Sequence, residues 1–583
     1  MDAITLEVLR NRFFAIAEEM GAALIRTAYS PNIKDRRDCS CALFDREGNT
    51  IAQAEHIPVH SGVLPWGVKG ALEYIDVDAL VPGDVVMHND PFIGGTHLPD
   101  VIVISPLFAE GRVVAFVANL AHHVDVGGKV PASLSPDATE VFQEGLRWPP
   151  VKIQKAGVLD PELLAIHHSN VRTPHEGKGD LLAQIASNNV GQKRWDEVVE
   201  EFGLEVVLEG ITELDSYCDR RMRVELERLP VGTFSFSDTI EGDGVVDDLL
   251  EIKVTITTGG PQLLVDFTGT CPQTKGPLNC VRPMTLACIY YVIRAITDPT
   301  IPPNSGTFRG IDVITPSGSL VNAKFPSPTG MGNAISTQRI VDVLLGAFAQ
   351  MLPERATAAA AGAMNGVQMG SFNPVTEQYF TYGETYGGGY GASRRGDGTS
   401  GVQSHMTNTR NTPIEVLESI LPVRVWRYGL VSDSEGAGEH RGGFGIARVV
   451  EMLQDDVSVY VMSDRAINKP WGLESGQPAS GPSFTVTNAA GSRRLGTKSS
   501  FVMNTGDVLS IETSGGGGWG DPLRRDRDAL DRDVRGGLIS PERARAVYGL
   551  RLPSTSAGSE TTKPIQVDEA DRQFAIDQGR SPR

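Results

Sequence analysis

The segment GGTHLPD, residues 94–100, places a histidine and an aspartate on one loop. Its two glycines loosen the backbone, and Pro99 fixes its own φ and lacks an N–H donor, so the segment cannot form a regular helix. His97 and Asp100 are therefore displayed by a turn. An imidazole and a carboxylate in this arrangement can hold a divalent cation, or the pair can simply be hydrogen-bonded within an Asx turn.

Two further segments offer candidates for the remaining metal ligands. His122 follows the apolar run VVAFVANLA, so we expect it at the end of a strand, where it can meet the loop pair. Two imidazoles with carboxylates suit Zn²⁺, Mn²⁺ or Fe²⁺. Asp38, in KDRRDCS, is the candidate fourth ligand because Arg36 and Arg37 favour its ionised form. The candidate ligands are thus Asp38, His97, Asp100 and His122.

The histidines are concentrated in the N-terminal part of the chain. Nine of the eleven lie within the first 175 residues, which indicates a histidine-dependent site there. His60 and His123 are candidate catalytic residues for proton transfer, since imidazole titrates near neutral pH. The alternatives are a satisfied loop histidine for His60, and for His123 a ring that orients His122 or faces the other side of the strand. The segment MHNDP at His88 either supports the site or caps a turn.

No nucleophile or nucleotide-binding signature is present in the sequence. It contains no G-x-S-x-G elbow, and none of its six cysteines forms a C-x-x-C pair, so each cysteine is expected to be a small buried side chain. The glycine clusters at 387–391 and 514–522 lack the following Lys-Ser or Lys-Thr of a Walker A loop. We interpret them as structural turns; the alternative is that they line a substrate or partner channel.

The elements that must position these residues begin with a helix. Apolar residues between Ile4 and Tyr29 follow a 3.6-residue period and predict an amphipathic helix, with Thr5 available as its cap. CALFDREGNTIAQ predicts a hairpin, while GDVVMHND and VIVISPLF predict buried strands. Residues 166–207 have a helical pattern interrupted by a turn.

The rest of the chain has more strand character. Residues 232–270 predict an antiparallel sheet, 335–351 a buried helix and 439–512 several strands. Ser540 and Pro541 predict the start of a last helix, and the composition beyond Leu552 is typical of disorder. We therefore predict a mixed α+β fold with an N-terminal α/β part that carries the metal site, an antiparallel-sheet middle and a β-rich C-terminal layer. The predicted boundaries are 1–230, 231–435, 436–523 and 524–583.

Composition excludes several classes of partner. The 583 residues carry a formal charge of −19 without a basic stripe, which argues against nucleic acid and anionic membranes. The opening residues lack an apolar signal core, and no apolar run reaches about 18 residues. We expect a cytoplasmic enzyme that binds neither nucleic acid nor a membrane.

Eight segments in order along residues 2–524 resemble the hydantoinase B/oxoprolinase family. The resemblance implies metal ligands at His97, Asp100 and His122, with Asp38 as the fourth, and a single ion for which we expect Zn²⁺ or Mn²⁺. It also implies an obligatory hydantoinase A-type partner with an actin-like fold, in a heterotetramer of two A and two B subunits. The segments are SPNIKDRRDCSCALFD, HIPVHSG, GDVVMHNDPFIGGTHLPDV, ANLAHHVDVGG, NVRTPHEGKGDLLAQ, TGMGN, HMTNTRNTPIEVLE and TSGGGGWGDP.

The activity implied by this resemblance is ATP-dependent opening of a cyclic amide such as a hydantoin, 5-oxoproline or a lactam. The A subunit would use ATP and Mg²⁺ to phosphorylate the amide oxygen, which gives the carbonyl carbon a good leaving group. The B subunit would then supply activated water, because a divalent metal lowers the pKa of bound water from 15.7 to about 7. The alternatives are a subunit of an ATP-dependent ketone carboxylase of the acetone or acetophenone type, and a non-catalytic scaffold subunit.

Overall fold

A computed structural model describes residues 1–54, 56–374 and 376–550 of the chain. The predicted disordered tail lies outside these residues. The α-helices of the described part are α1 (Ala3–Thr27), α2 (Pro31–Lys34), α3 (Pro58–Leu72), α4 (Pro161–Asn170), α5 (Pro174–Phe202), α6 (Leu204–Glu227), α7 (Arg282–Ile296), α8 (Thr337–Ala349), α9 (Ile414–Ile420), α10 (Arg527–Arg535) and α11 (Pro541–Ala546).

The strands alternate with these helices in the N-terminal half and dominate the C-terminal half. They are β1 (Cys39–Asp45), β2 (Thr50–Gln53), β3 (Val85–His88), β4 (Asp100–Ala109), β5 (Arg112–His122), β6 (Val151–Lys155), β7 (Val158–Leu159), β8 (Gly232–Glu241), β9 (Leu249–Thr258), β10 (Leu263–Asp266), β11 (Ile311–Ile314), β12 (Gly366–Asn373), β13 (Gln378–Thr385), β14 (Val423–Leu430), β15 (Ile446–Met452), β16 (Val457–Met462), β17 (Ser483–Asn488), β18 (Gly491–Arg494), β19 (Lys498–Met503) and β20 (Val508–Glu512).

The N-terminal sheet has the order β2-β1-β5-β4-β3-β6-β7, and every neighbouring pair is antiparallel. Because successive residues of a strand point to opposite faces, Cys41 and Leu43 pack in the cluster of α1 while Ala42 and Phe44 pack in that of α3. Helices therefore cover both faces of this sheet. The predicted hairpin and buried strands are confirmed.

Helix α1 confirms the predicted amphipathic helix, but its predicted cap is wrong. The Asp2 carboxylate accepts hydrogen bonds from the backbone N–H groups of Ile4 and Thr5. Thr5 lies inside the first turn and its own hydroxyl donates to Asp2. Asp2 is the better N-cap because its ionised carboxylate, placed just before the helix, accepts from the free N–H groups of the first turn and faces the positive end of the helix dipole.

The middle of the chain contains the predicted antiparallel sheet and buried helix. The sheet order is β11-β10-β9-β8, in which only the β10–β11 pair is parallel. Helix α8 packs against β8 and β9 and follows a π-helical turn at residues 332–336. Its residues are almost all buried, including the polar Gln338, Arg339 and Asp342 as well as the apolar residues.

The C-terminal strands form two further sheets, β13-β12-β16-β19 and β14-β15-β20-β17-β18. Strands β12 and β13 precede residue 435, so one sheet joins both sides of that predicted boundary. The largest hydrophobic cluster likewise contains residues from both sides of position 230. The mixed α+β fold is confirmed, whereas the domain boundaries stay predictions. Within the described residues, no helix combines the length and apolarity that crossing a bilayer requires.

Three glycine-rich segments, residues 387–391, 436–445 and 514–518, pack backbone against backbone; we call them the glycine layer. The N–H of Gly516 donates to Gly443 O at 2.9 Å, and the N–H of Gly443 donates to Tyr390 O at 2.9 Å. A Cβ at Gly516 would lie 2.1 Å from Tyr390 O, which is closer than any side chain permits. The glycines here serve close approach of main chains, so the layer is structural.

The glycine layer yields the first prediction. Gly516→Ala should lower the free energy of unfolding by about 2 kcal/mol or more, because backbone atoms on both sides leave the methyl group no space. Chemical denaturation of the full chain measures this. Gly396→Ala is the matched control, since a Cβ there meets nothing within 4 Å. Equal stability of the two variants would contradict the backbone packing described above.

His88 ties the N-terminal sheet to α3. Its Nε2–H donates to the carbonyl of Gly67 at 3.0 Å, and the ring is fully buried. Burial lowers the pKa of His88 to about 4, although the hydrogen bond to Gly67 opposes the shift. The ring is therefore neutral in the folded protein at neutral pH.

Neutral burial of His88 predicts acid sensitivity. The pKa in the unfolded chain is about 6.5, so the unfolded state binds more protons and stability falls as pH drops from 6.5 towards 4. Between pH 7 and pH 5 the wild type should lose about 2 kcal/mol more than His88→Gln, which keeps an N–H donor but does not titrate. Denaturation midpoints at both pH values test this. Parallel losses in the two proteins would show that His88 does not carry the effect.

Candidate functional site

Strand pairing brings the predicted ligands to one edge of the N-terminal sheet. Asp100 begins β4 and pairs directly with His122, which ends β5. Cys39 begins β1 and pairs with Ala121, so Asp38 comes next to His122, whose N–H donates to Asp38 O at 3.0 Å. Because β5 runs antiparallel to both β1 and β4, the starts of β1 and β4 and the end of β5 lie together at this edge.

Three side-chain atoms from this edge and its loop form a compact group, which we call the ligand triad: His97 Nε2, Asp100 Oδ1 and His122 Nδ1. Asp100 Oδ1 lies 3.1 Å from His97 Nε2 and 2.9 Å from His122 Nδ1. The two imidazole nitrogens are 3.2 Å apart. Among the described residues, these three form the group of histidine, cysteine and acidic side chains close enough together to share a metal ion.

The triad has the dimensions of one face of a metal coordination shell. Ligand atoms bound to one cation at about 2.1 Å, with angles of about 90–110°, lie about 3.0–3.4 Å from each other. His97 Nδ1 lies 2.9 Å from Gly330 O, and a carbonyl only accepts, so Nδ1 carries a proton and Nε2 is the ring nitrogen left to bind a cation. The residues present therefore fit a divalent cation.

His97 and Asp100 shift each other's pKa in opposite directions. Burial alone would lower the pKa of His97, but the Asp100 carboxylate raises it to about 9. Burial would conversely raise the pKa of Asp100, while His97, His60 and His122 hold it well below its usual value. Asp100 is thus a buried carboxylate anion, and its second oxygen accepts a hydrogen bond from the Thr96 hydroxyl.

Asp38 lies beside the triad but is not part of it. Its Oδ1 is 3.8 Å from His60 Nε2, and its Oδ2 is 3.9 Å from the Arg36 guanidinium. Arg36 itself donates to the Gly383 carbonyl and is buried. The carboxylate therefore lies among positive and polar partners at the rim of the group.

Of the two histidines proposed for proton transfer, the structure brings only His60 to this place. His60 lies in the first turn of α3, with Nε2 3.5 Å from Asp100 Oδ2 and Nδ1 3.4 Å from Ser40 Oγ. The His123 ring instead meets Gln184 Oε1 at 2.9 Å and packs against His167. His123 follows His122 in an extended segment, so its side chain points to the opposite face of the sheet.

A buried carboxylate that the sequence does not reveal, Glu144, holds the loop behind His97. Its two oxygens accept the backbone N–H groups of Thr329 at 3.0 Å and Gly330 at 2.8 Å. The Gly330 carbonyl then accepts from His97 Nδ1, so Glu144 positions the His97 ring through a single residue. Burial raises the pKa of Glu144 to about 7, against these hydrogen bonds. The sequence around Glu144 has no pattern that identifies this residue as part of the site. The loop that it holds, around Gly330, was marked in the sequence only by the segment TGMGN.

The segment MHNDP also supports the site. Asn89 Nδ2 donates to the carbonyl of Leu98 at 2.7 Å and to that of Leu146 at 2.9 Å, and the Trp148 N–H donates to Asn89 Oδ1. Because Leu98 lies between His97 and Asp100, Asn89 fixes the conformation of the loop that carries these two residues.

The triad opens onto a small cavity. Its lining includes Asp38, His60, His97 and His122, together with residues of β12, β13 and the π-helical turn at residues 332–336. About 40 Å³ is open to water, which is room for a few water molecules. The arrangement can therefore hold a cation, a water molecule and a neighbouring imidazole together.

Comparison with known proteins places the chain among related enzymes. The family model described as hydantoinase B/oxoprolinase matches residues 2–522. An uncharacterised protein of Methanocaldococcus jannaschii is 40% identical over 95% of this chain and 96% of its own length. The putative B subunit of a D-/L-hydantoinase from Pseudomonas sp. strain NS671 is 34% identical over 95% of each. 5-Oxoprolinase 1 of Arabidopsis thaliana is 36% identical over 90% of this chain, which spans only 42% of that relative.

Two solved structures share the fold. An ATP-dependent caprolactamase from Pseudomonas jessenii has a TM-score of 0.88 at 29% identity, covering 98% of this chain and 99% of its own. A nucleotide-free acetone carboxylase has a TM-score of 0.87 at 20% identity, covering 100% of this chain and 84% of its own. At that lower identity the second likeness shows the fold alone.

The role of Glu144 gives the prediction from this site. Glu144→Ala should weaken Zn²⁺ or Mn²⁺ binding by about 10- to 100-fold, because the N–H groups of Thr329 and Gly330 lose their acceptors and His97 loses its orientation. Glu144→Gln, which keeps one acceptor oxygen, should fall between Ala and wild type. Competition with a chromophoric chelator measures the affinity. A Glu144→Ala protein that is folded and binds the cation as wild type does would rule out this positioning role.

Proposed function

Because the chain belongs to the hydantoinase B/oxoprolinase family, we propose that it is the ring-opening B subunit of an ATP-dependent cyclic amidohydrolase. Its substrate would be a hydantoin, 5-oxoproline or a lactam that the partner subunit has activated. The observation that carries this proposal is the ligand triad, whose atoms lie within 3.2 Å of one another beside His60 and a water-sized cavity.

The metal site of this proposal consists of His97, Asp100 and His122, with Asp38 as the fourth ligand. A divalent cation, Zn²⁺ or Mn²⁺, would lower the pKa of a bound water molecule towards neutrality and so supply the nucleophile. The protein's part is to hold the donors in place. Asp38, which lies beside the triad, would complete the ligand set.

His60 is the proposed proton acceptor. Its Nε2 lies between Asp38 and Asp100, at 3.8 and 3.5 Å from their carboxylate oxygens, and both carboxylates stabilise the positive ring that forms when the proton arrives. Ser40, at 3.4 Å from Nδ1, orients the imidazole. His123 has no part in this proposal, since its ring is held by Gln184 on the other face of the sheet.

Activation of the amide is assigned to a partner. A neutral amide resists water because resonance stabilises the carbonyl and the nitrogen leaves poorly, so an ATP-dependent step must precede hydrolysis. The chain has no Walker A sequence, and the name of its relative in Pseudomonas describes one component of a multi-subunit hydantoinase. We therefore propose an A-type partner that uses ATP and Mg²⁺, in a heterotetramer of two A and two B subunits.

The hydrolase is favoured over a ketone carboxylase by the relatives. Proteins 34–36% identical to this chain are named for hydantoin and 5-oxoproline, and the structure at 29% identity is a caprolactamase. The acetone carboxylase shares the fold at 20% identity and carries no argument about chemistry.

One experiment tests the function with the assembled complex. Wild-type complex given a hydantoin, 5-oxoproline or a lactam should couple ATP hydrolysis to ring opening, and His97→Ala should lose at least about 100-fold in ring opening because the cation loses an imidazole ligand. ATP binding by the partner should be unchanged. Wild-type ring-opening activity in the His97→Ala complex would contradict the assignment of His97 to the metal site.

The same assay, together with metal analysis, distinguishes the amidohydrolase from a ketone carboxylase subunit and from a scaffold subunit. A ketone supplied with bicarbonate should not drive ATP hydrolysis; if it does and the cyclic amides do not, the chain is a carboxylase subunit. Metal analysis of the purified complex should find one Zn²⁺ or Mn²⁺ per chain. A complex without stoichiometric metal would instead indicate a scaffold subunit.

A further inference from the structure

The two oxygens of the Asp100 carboxylate face different groups. Oδ1 belongs to the ligand triad, at 3.1 Å from His97 Nε2 and 2.9 Å from His122 Nδ1. Oδ2 accepts the hydrogen bond from the Thr96 hydroxyl and lies 3.5 Å from His60 Nε2. One oxygen is therefore a candidate ligand atom, while the other already has a protein donor.

The hydrogen bond between Thr96 and Asp100 is buried at both ends. Neither residue is exposed, so the Thr96 hydroxyl cannot turn to bulk solvent. As the buried carboxylate anion described above, Asp100 can only accept, and the hydroxyl must be the donor. Removing this donor from a charged oxygen inside the protein costs more than removing it from an exposed one. The bond is thus a strong restraint on the direction of the carboxylate.

Main-chain hydrogen bonds fix the loop on both sides of Thr96. The N–H of Gly95 donates to Asp90 O at 3.1 Å, and the N–H of Asp100 donates to His97 O at 3.1 Å. The position of the Thr96 hydroxyl is therefore set by the fold of the loop.

Helix α3, which carries His60, packs closely against the start of the same loop. A Cβ at Gly94, whose φ is 125°, would lie 2.3 Å from Trp66 O, and a Cβ at Gly70 would lie 1.7 Å from Ile93 O. The two main chains are therefore in direct contact. Because of this contact, the hydroxyl on the loop and the imidazole on the helix keep a fixed relation to each other.

Asp38, the other carboxylate of the site, lacks such a restraint. Its oxygens lie 3.8 Å from His60 Nε2 and 3.9 Å from the Arg36 guanidinium, both beyond hydrogen-bonding distance. Of the two carboxylates, Asp100 is the one whose orientation is held by a hydroxyl donor.

The direction of a carboxylate decides how it binds a cation. An aspartate can bind through one oxygen or through both. Binding through both adds one ligand atom and takes a coordination position that a water molecule needs at a hydrolytic metal site. A hydrogen bond that engages the second oxygen favours binding through the first alone. Since the Thr96 bond engages Oδ2, it leaves Oδ1 as the oxygen available to a cation.

We propose that Thr96 is a positioning residue that restricts Asp100 to binding the cation through Oδ1, and so keeps one coordination position open. The inference rests on the metal site of the proposed function. It makes no assumption about the substrate or the partner subunit, so the chain alone suffices to test it.

The test is the absorption spectrum of the purified full chain loaded with Co²⁺, whose visible bands weaken as its coordination number rises. Thr96→Val has nearly the same shape but no hydroxyl, so Asp100 becomes free to bind through both oxygens. Its visible absorption per bound Co²⁺ should be at least about twofold weaker than that of the wild type. Competition with a chromophoric chelator gives the bound fraction by which each spectrum is scaled.

Matched variants separate the positioning role from a loss of stability. Thr96→Ser keeps the hydroxyl and should restore the wild-type spectrum, whereas Thr96→Ala should lose intensity as Thr96→Val does. Thr285→Val is the control, since it removes a buried hydroxyl that donates to Val321 O at 2.7 Å, and its spectrum should not change. Circular dichroism shows which variants are folded. Wild-type intensity in a folded Val or Ala variant, or a spectrum of Thr96→Ser as weak as theirs, would overturn the proposal.

The positioning role and the proposed function can fail separately. If Thr96→Val shows the weaker spectrum but the assembled wild-type complex opens no cyclic amide, the role of Thr96 stands and the amidohydrolase assignment falls. If the complex opens the ring while Thr96→Val keeps the wild-type spectrum, only the role of Thr96 falls. A wild-type chain that binds no Co²⁺ would overturn both.

Discussion

The register between β4 and β5 is the constraint on which the candidate metal site depends. It sets Asp100 opposite His122 and, through β1, brings Asp38 to the same edge. A slip of one residue would send one of these side chains to the far side of the sheet. The irregularity in this pair lies between Leu107 and Phe108, at the opposite end of the strands. This end of the ladder is therefore regular, and the backbone of His122 is held between Asp100 on one side and Asp38 on the other.

A second group of polar residues holds the loops that the ladder does not reach. Asn89 fixes the loop that carries His97, Glu144 fixes the peptide that orients its ring, and Arg36 fastens the cavity wall to β13. All three are buried and each bonds to main-chain atoms remote in sequence. Removing one would leave buried donors or acceptors unpaired, which makes these positions costly to change. They hold His97 and Asp100 in the arrangement that makes them candidate ligands.

Local patterns predicted the elements well and the pairings between them poorly. The period of α1, the hairpin of β1 and β2 and the apolar strands were readable because each pattern is contained in a few neighbouring residues. His97, Asp100 and His122 were readable because their turn and strand end limit where the side chains can go. Glu144 acts on residues almost two hundred positions away, and β12 pairs with β16 across a predicted boundary, so no local signal could reveal either. The separation of His123 from His122 was itself readable, because side chains alternate along a strand.

The glycine layer has one consequence for how this molecule can vary. In an ordinary core an enlarged side chain can be accommodated when a neighbour shrinks, so volume is exchanged between positions. Here each contact joins one main chain to another, and no residue is smaller than glycine. The three segments of the glycine layer therefore have no side-chain volume to exchange. A larger residue in one of them can be accommodated only if whole segments move apart, and Tyr390 would move with them.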